Sequence, residues 1–523
     1  MINFNSRSFI NSHFFYGFAV FFYSFFINFY YAKLGSFPLD AFYHYDSAYK
    51  ILENQYPVRD YLIVSGFLVD FLQSLFFRLF GTNWYAYIIH SSLFNFIISL
   101  LTYYFFISLK INKTKSLIYT FSFATLAYTF SGTPFVDHHA TFFLLIATYF
   151  ITYAISDHQK KYLWLIIVFL FFLSFFSKQV PAAYAIVFLG TIVFYTLLKN
   201  RDYKAIKVII VSFITFSILL ILILLILKIN LKDFYIQYLD YPRSIGSERT
   251  ANLKFSFESI FNHYKFVIFP LIGIFIIKFK NVKNLNFKKN NFTKIINFTI
   301  IVTFCLIVIF HQLMTKNQIY IYFLIPILFA VLESYLNSIK FKKYISLFLI
   351  IFLIFITLKY HNRYNETRKF HELENVDLSQ SVSAEEIDKS LSGLMWINPF
   401  FKEDPNQEIN LLKKTQKILE FNESEIMVYT HYLFLDSITK KNLNYPNRSF
   451  TLDGASMPIK GNKYFNYYKN FLFKKIKKNK IQKVYFFKHE NLSQKSFTNY
   501  IDERCYTKSE NEFFYVYNII CLK

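Results

Sequence analysis

Between residues 12 and 358 the chain is a succession of long apolar runs rich in Phe, Ile, Leu, Val and Tyr, broken by short polar segments that hold most of the nearby lysines. Segments apolar on every side belong in lipid, and about 17 to 25 residues of helix reach roughly 25 to 30 Å. The runs at 12–31, 84–108, 115–131, 138–156, 161–177, 180–198, 206–228, 264–279, 295–314, 318–335 and 342–358 therefore predict about eleven transmembrane helices. Residues 62–80 (LIVSGFLVDFLQSLFFRLF) are also apolar, but Asp70, Gln73 and Arg78 interrupt them, which predicts an interfacial or re-entrant helix rather than a full span.

After residue 359 the pattern changes. QEINLLKKTQKILE has helical periodicity, EIMVYTHYLFL and KVYFF are strand-like, and YFNYYKNFLFKKIKKNK is a basic helix. CYTKSENEFFYVYNIIC predicts two strands around a polar turn, a hairpin whose ends, Cys505 and Cys521, could be joined in an oxidising compartment. The expected fold is mainly α: a polytopic membrane helix bundle over 1–358, with external loops at 32–83 and 229–263, followed by a small external α/β domain over 359–523.

Composition agrees, since 54% hydrophobic and 22% aromatic residues exceed a soluble average. A net charge of +24 could suggest nucleic acid, but the lysines cluster between apolar runs, where cytoplasmic anchors are expected, so no nucleic-acid partner is called for. With the N-terminus inside, the positive loops hold Lys110, Lys113 and Lys115; Lys160 and Lys161; Lys199 to Lys207; Lys278 to Lys294; and Lys340 to Lys343. Their alternation predicts an odd number of spans and an external C-terminus. The loop 229–263 is the exception, because it should be external yet holds Lys232, Arg243, Arg249 and Lys254. No short apolar run with a small-residue cleavage site precedes the first span, so an uncleaved anchor is expected.

Charges beside spans are costly and so mark candidate chemistry. PLDAFYHYDSAYKILENQYPVRDY places Asp40, Asp46 and Asp60 in the first external loop, where a carboxylate could accept an acceptor's proton, ligate a divalent cation, or simply cap a helix. SGTPFVDHHATFF puts Asp137, His138 and His139 at the start of a span. Asp137 could be a second catalytic or metal-associated acid or a helix-dipole acid, and at most one of the adjacent histidines can face a given site. Lys178, in FFSKQVPAAYA, could neutralise an anionic leaving group or snorkel to the interface. Arg243 and Arg249 could fork onto a phosphate. The chain lacks a P-loop, a Gly-rich dinucleotide turn and a metalloprotease helix.

The run YDSAYKILENQYPVRDY followed by FLQSLFFRLFG resembles the first external loop of GT-C class glycosyltransferases, polytopic enzymes that include protein O-mannosyltransferases and aminoarabinose transferases. Asp46 matches their first-loop acid, Asp137 an acid common in their second external loop, and Lys178 a lysine after the fifth span. The similarity covers about the first 200 residues. Ser47 stands where many members have a second acid, and VSGF where many have Pro-Pro or His-Pro, so the metal and the acceptor stay open. The resemblance implies inverting transfer of a sugar from a polyprenyl-phosphate donor to a glycan, lipid or protein acceptor at the external membrane face. Asp46 would be the general base, Lys178 with Arg243 or Arg249 would hold the donor phosphate, and Asp137 would orient the acceptor or a divalent metal cation. It also implies a bacterial inner membrane, with the C-terminal domain periplasmic.

Two other classes fit the span count. A lipid-glycan flippase or other transporter should place charge near mid-membrane rather than in external loops. A non-catalytic envelope-assembly protein would use the external domain, with its lysine-rich stretch 469–483, as a binding module.

Overall fold

Long apolar runs do become helices. In a computed structural model that describes residues 6–157, 159–251, 256–280, 289–315, 320–336, 341–422 and 424–521, eight helical stretches are long and apolar enough to cross a membrane. They are Phe14–Tyr31, Trp84–Ser108, Val136–Ser156, Gln179–Lys199, Tyr203–Ile226, Ile260–Ile277, Phe292–Thr315 and Lys342–His371. The chain is a multi-pass membrane protein. Three of the eleven expected spans fall short: 115–131 is the 14-residue helix Lys113–Leu126, 161–177 the 16-residue helix Tyr162–Ser177, and 318–335 the 12-residue helix Leu324–Tyr335 behind a turn. At 1.5 Å per residue these reach only about 18 to 24 Å, less than the hydrocarbon thickness. Lys254, Lys340 and residues 281–288 of the expected loops lie outside the described residues.

The chain divides into two compact units: Met1–Lys33, Ile88–Ile218 and Leu253–Asn375 in one, and Leu34–Tyr87, Leu219–Asn252 and Val376–Lys523 in the other. In the first, Val136–Ser156 is central, with 83% of its apolar window buried, against 11% for Tyr203–Ile226, whose side chains face outward as lipid-contacting residues do. Ion pairs in this unit include Lys115, whose Nζ lies 2.6 Å from Glu333 Oε1, which also accepts from Ser346 Oγ at 2.7 Å, and Lys161, bonded to Asp202.

In the second unit, Leu34–Tyr87 and Leu219–Asn252 fold with the C-terminal segment. Residues 62–80 contain only one helix, Leu68–Phe80; its 13 residues are too short to cross a bilayer. Asp70 and Gln73 point into the unit, while Leu75, Leu79 and Phe80 are exposed. A two-stranded ladder, β1 (Val382–Ser383) with β2 (Met395–Trp396), precedes a four-stranded sheet of β3 (Ile426–Tyr429), β4 (Lys483–Phe487), β5 (Tyr506–Glu510) and β6 (Phe514–Ile519) in the order β3-β4-β6-β5. β3 and β4 are parallel, with Val428 opposite Tyr485, and the other pairings are antiparallel. The helices Pro405–Glu420 and Phe465–Lys478 precede β3 and β4.

The strand expected over EIMVYTHYLFL stops at Tyr429. Its backbone leaves the ladder because His431 N donates to Glu490 Oε2 at 2.5 Å and Tyr432 N to Thr430 Oγ1 at 3.1 Å, and Leu435–Thr439 is helical. At the sheet's edge Cys505 and Cys521 are joined as a disulfide, Cα atoms 4.6 Å apart, bracketing the β5–β6 hairpin. Cys305 is a buried free thiol.

Candidate functional site

In the first unit the loop before Asp137 is fixed by its backbone. Gly132 adopts φ +71°, and a Cβ there would come within 2.8 Å of Ala32 Cα, so only glycine fits. Its carbonyl accepts from Asn28 Nδ2 at 3.1 Å and from Ser91 Oγ at 2.5 Å, while His371 Nε2 donates to Ser131 O at 2.9 Å. The chain then enters the helix Val136–Ser156 with Asp137 in its first turn, where the macrodipole favours an acid.

Lys178 follows the helix Tyr162–Ser177 in an extended conformation. Ser174 Oγ pins this helix to Ala140 O at 2.7 Å, one turn below Asp137. Lys178 Nζ donates to both oxygens of Asp137, at 2.6 and 2.7 Å, and His311 Nε2 donates to Oδ1 at 2.7 Å from the helix Lys289–Thr315. Asp137 and His311 are buried, whereas the Lys178 side chain keeps 22% exposure. The result is an oriented ammonium at the end of a membrane helix. A lysine has three N–H donors, and two reach Asp137.

His138 and His139 diverge, as adjacent helical residues must. His139 Nδ1 pairs with Tyr128 Oη at 2.8 Å and its Nε2 with His90 Nε2 at 3.1 Å, with its ring stacked on Phe94. His138 packs against the rings of Tyr128, Phe135 and Phe370. His311, His90 and Tyr128 are polar members of this region that single-sequence reasoning missed. The signal that could have found the histidines is a titratable side chain inside an apolar run.

The second unit holds Asp46. It sits on the helix Tyr43–Leu52, is fully buried, and forms an ion pair with Lys50 one turn on, Nζ to Oδ2 2.8 Å. The Lys50 ammonium also lies over the Tyr445 and Tyr61 rings, at 4.4 and 5.1 Å. Burial lifts the Asp46 carboxyl above the usual range, Lys50 opposes, and the charge of Asp70 adds to the rise. Asp436, whose Oδ1 accepts from Leu443 N at 2.7 Å, is pushed up to about 7 by burial and by Asp46. Lys475 is brought down to about 7 by burial and by Lys50, and its Nζ donates to Asp60 O at 2.6 Å. Beside this network His44 Nδ1 bonds Asp70 Oδ1 at 2.6 Å, and Arg448 bonds the other oxygen of Asp70 and donates to Gly66 O at 2.8 Å. None of Lys50, His44, Asp436, Arg448 or Lys475 was identified from sequence.

The other first-loop acids have local work. Asp60 accepts from Tyr56 N at 2.9 Å and Arg59 Nε at 2.8 Å; burial raises its carboxyl, but these donors prevail and hold it below the ordinary range. Asp40 lies half-buried in the first turn of Pro38–Ala41. Arg243 and Arg249 are both exposed on the helix Tyr241–Ala251. Six helical positions leave their side chains roughly 120° apart, so they do not form a two-armed clamp on one phosphate.

Among the described residues no group of three or more His, Cys, Asp or Glu gathers to hold a metal. The Asp46 carboxylate faces an ammonium, and that of Asp137 an ammonium and an imidazole; neither set of donors fits a divalent cation.

No family model matches the chain, and no curated protein matches it. Among solved structures it is similar to one described as ArnT from Cupriavidus metallidurans bound to undecaprenyl phosphate, with a TM-score of 0.47 and 10% identity over 94% of this chain and 96% of that one.

Proposed function

We propose that the chain is a membrane glycosyltransferase that moves a sugar from a polyprenyl-phosphate donor to an acceptor hydroxyl. The observation that carries this reading is the Asp137–Lys178–His311 cluster. Transfer breaks the bond between the anomeric carbon and a phosphate oxygen, and the departing phosphate gains negative charge. A preoriented ammonium stabilises that charge as it develops. Lys178 supplies it, partly exposed at a helix junction and positioned by Asp137, which His311 orients in turn. Asp137 thereby takes the part of anchor to the cation rather than acceptor ligand.

The acceptor oxygen attacks from the side opposite the phosphate, inverting the anomeric carbon, and its proton passes to a carboxylate. The GT-C-like loop sequence assigns that carboxylate to Asp46, and its raised proton affinity suits a base. Asp46 is 1% exposed and paired with Lys50, so accepting that proton neutralises the carboxylate and breaks this ion pair. The lipid donor reaches the site from the bilayer, and an external face of a bacterial inner membrane accords with the loop charges and the tail disulfide.

The test is release of polyprenyl phosphate from a polyprenyl-phosphate-linked sugar by purified protein. Lys178→Ala should abolish turnover while the protein still melts cooperatively. Wild-type turnover in that variant would remove the phosphate-binding role.

A further inference from the structure

Beyond the end of β4 in the second unit lies a cavity of about 580 Å³, within the range of small-molecule sites and large enough for a mono- or disaccharide. None of the residues assigned above lines it. One wall is the helix Pro405–Glu420, which carries the amides of Asn406 and Gln407 in its first turn and of Asn410 one turn on. Opposite stand Phe513 and Glu512 from the β5–β6 turn.

The aromatic side is built rather than incidental. Lys488 N donates to Phe513 O at 2.8 Å and Phe513 N to Asn511 Oδ1 at 2.9 Å, so the turn cannot swing away. Phe513 is 7% exposed, so it contributes a small apolar area rather than an open ring face, and Lys414 Nζ sits 6.0 Å from its ring centroid. Amides both donate and accept, as vicinal hydroxyls do, and a small apolar area beside them suits the C–H surface of a pyranose. Charge narrows the class further. Two carboxylates, Asp404 and Glu512, face one lysine, Lys414, and one imidazole, His489, so the lining has no excess of positive charge to favour a phosphate or uronate.

We infer that this cavity binds a saccharide, neutral or bearing an amino group, separately from the cluster around Lys178. The geometry stands without the transfer reaction; a transferase carrying such a pocket would use it to hold a glycan.

The experiment is saturation-transfer NMR and calorimetry on the full-length protein, in a detergent without a sugar headgroup. The probes are glucose, N-acetylglucosamine, glucosamine and glucose 6-phosphate. At least one of the first three should bind, with glucose 6-phosphate at least fivefold weaker. Asn410→Ala and Glu512→Gln, both at exposed side chains, should each weaken binding at least fivefold with unchanged melting. Binding should survive in Lys178→Ala, which separates this pocket from the transfer chemistry. No binding by any of the three sugars overturns the assignment, as does equal binding of the phosphate ester or wild-type affinity in both pocket variants.

Discussion

Lys178 holds both carboxylate oxygens of Asp137, at 2.6 and 2.7 Å, across 41 residues of chain. Such a bidentate grip orients the ammonium more firmly than a single contact would, and His311 fixes the carboxylate from the other side. Removing either partner has different consequences. Lys178→Ala deletes the cation and strands a buried carboxylate, so turnover should fall by roughly 100-fold or more and the melting temperature should drop as well. Asp137→Asn keeps the cation but loosens it, and a smaller fall in turnover with a smaller melting shift is expected. Polyprenyl phosphate release and thermal melts measure the two effects side by side; a greater loss of turnover in Asp137→Asn than in Lys178→Ala would contradict the order.

The Asp46–Lys50 pair separates a catalytic from a structural role. If the pair only holds the fold, Asp46→Asn strands a buried ammonium, and adding Lys50→Met should restore both melting and turnover. If Asp46 is the base, the double variant should regain melting temperature and stay inactive. The second outcome is expected, read from the same two assays.

Protonation of Asp436 makes stability depend on pH. Its folded carboxyl titrates at about 7, above an unfolded value near 4, so the native state binds the extra proton between those values. The stabilisation is complete below about pH 4 and is lost as pH rises to about 7. Lys475 acts in the next window: titrating at about 7 in the fold against about 10.4 unfolded, it penalises the native state below 7, and that penalty is relieved as pH climbs. Asp436→Asn should therefore flatten the decline in melting temperature between pH 5 and 7. Equal slopes in wild type and variant would show that Asp436 keeps an ordinary carboxyl.

The disulfide predicts a thiol count. Alkylation of denatured, unreduced protein should label one cysteine, Cys305, and reduction should raise the count to three. Breaking a closed loop of this size, 16 residues apart in sequence, costs about 3 kcal/mol, so Cys505→Ser should lower the melting of the C-terminal hairpin. Three labelled thiols before reduction would place the tail in a reducing compartment.

Much was legible wherever the signal is local. Hydropathy located the long membrane helices, and it overextended three shorter ones. In Lys113–Leu126, buried Ser116, Thr120 and Ser122 shorten the apolar stretch. The strand after Glu425 was overextended because the residues that end it, Thr430 and Glu490, are 60 positions apart. Asp137 and Lys178 were found because each borders a long apolar run.

What the sequence by itself determined is the multi-pass helical character of the chain, the α/β character of the tail, and acids and cations at span ends, since hydropathy and helical period are properties of neighbouring residues. Partnership came only with tertiary structure. His311 meets Asp137 from 174 positions away and Arg448 meets Asp70 from 378, distances over which one sequence carries no periodic trace. Burial then decided which of those charges shift, because desolvation is set by everything packed around a group and not by its place in the chain.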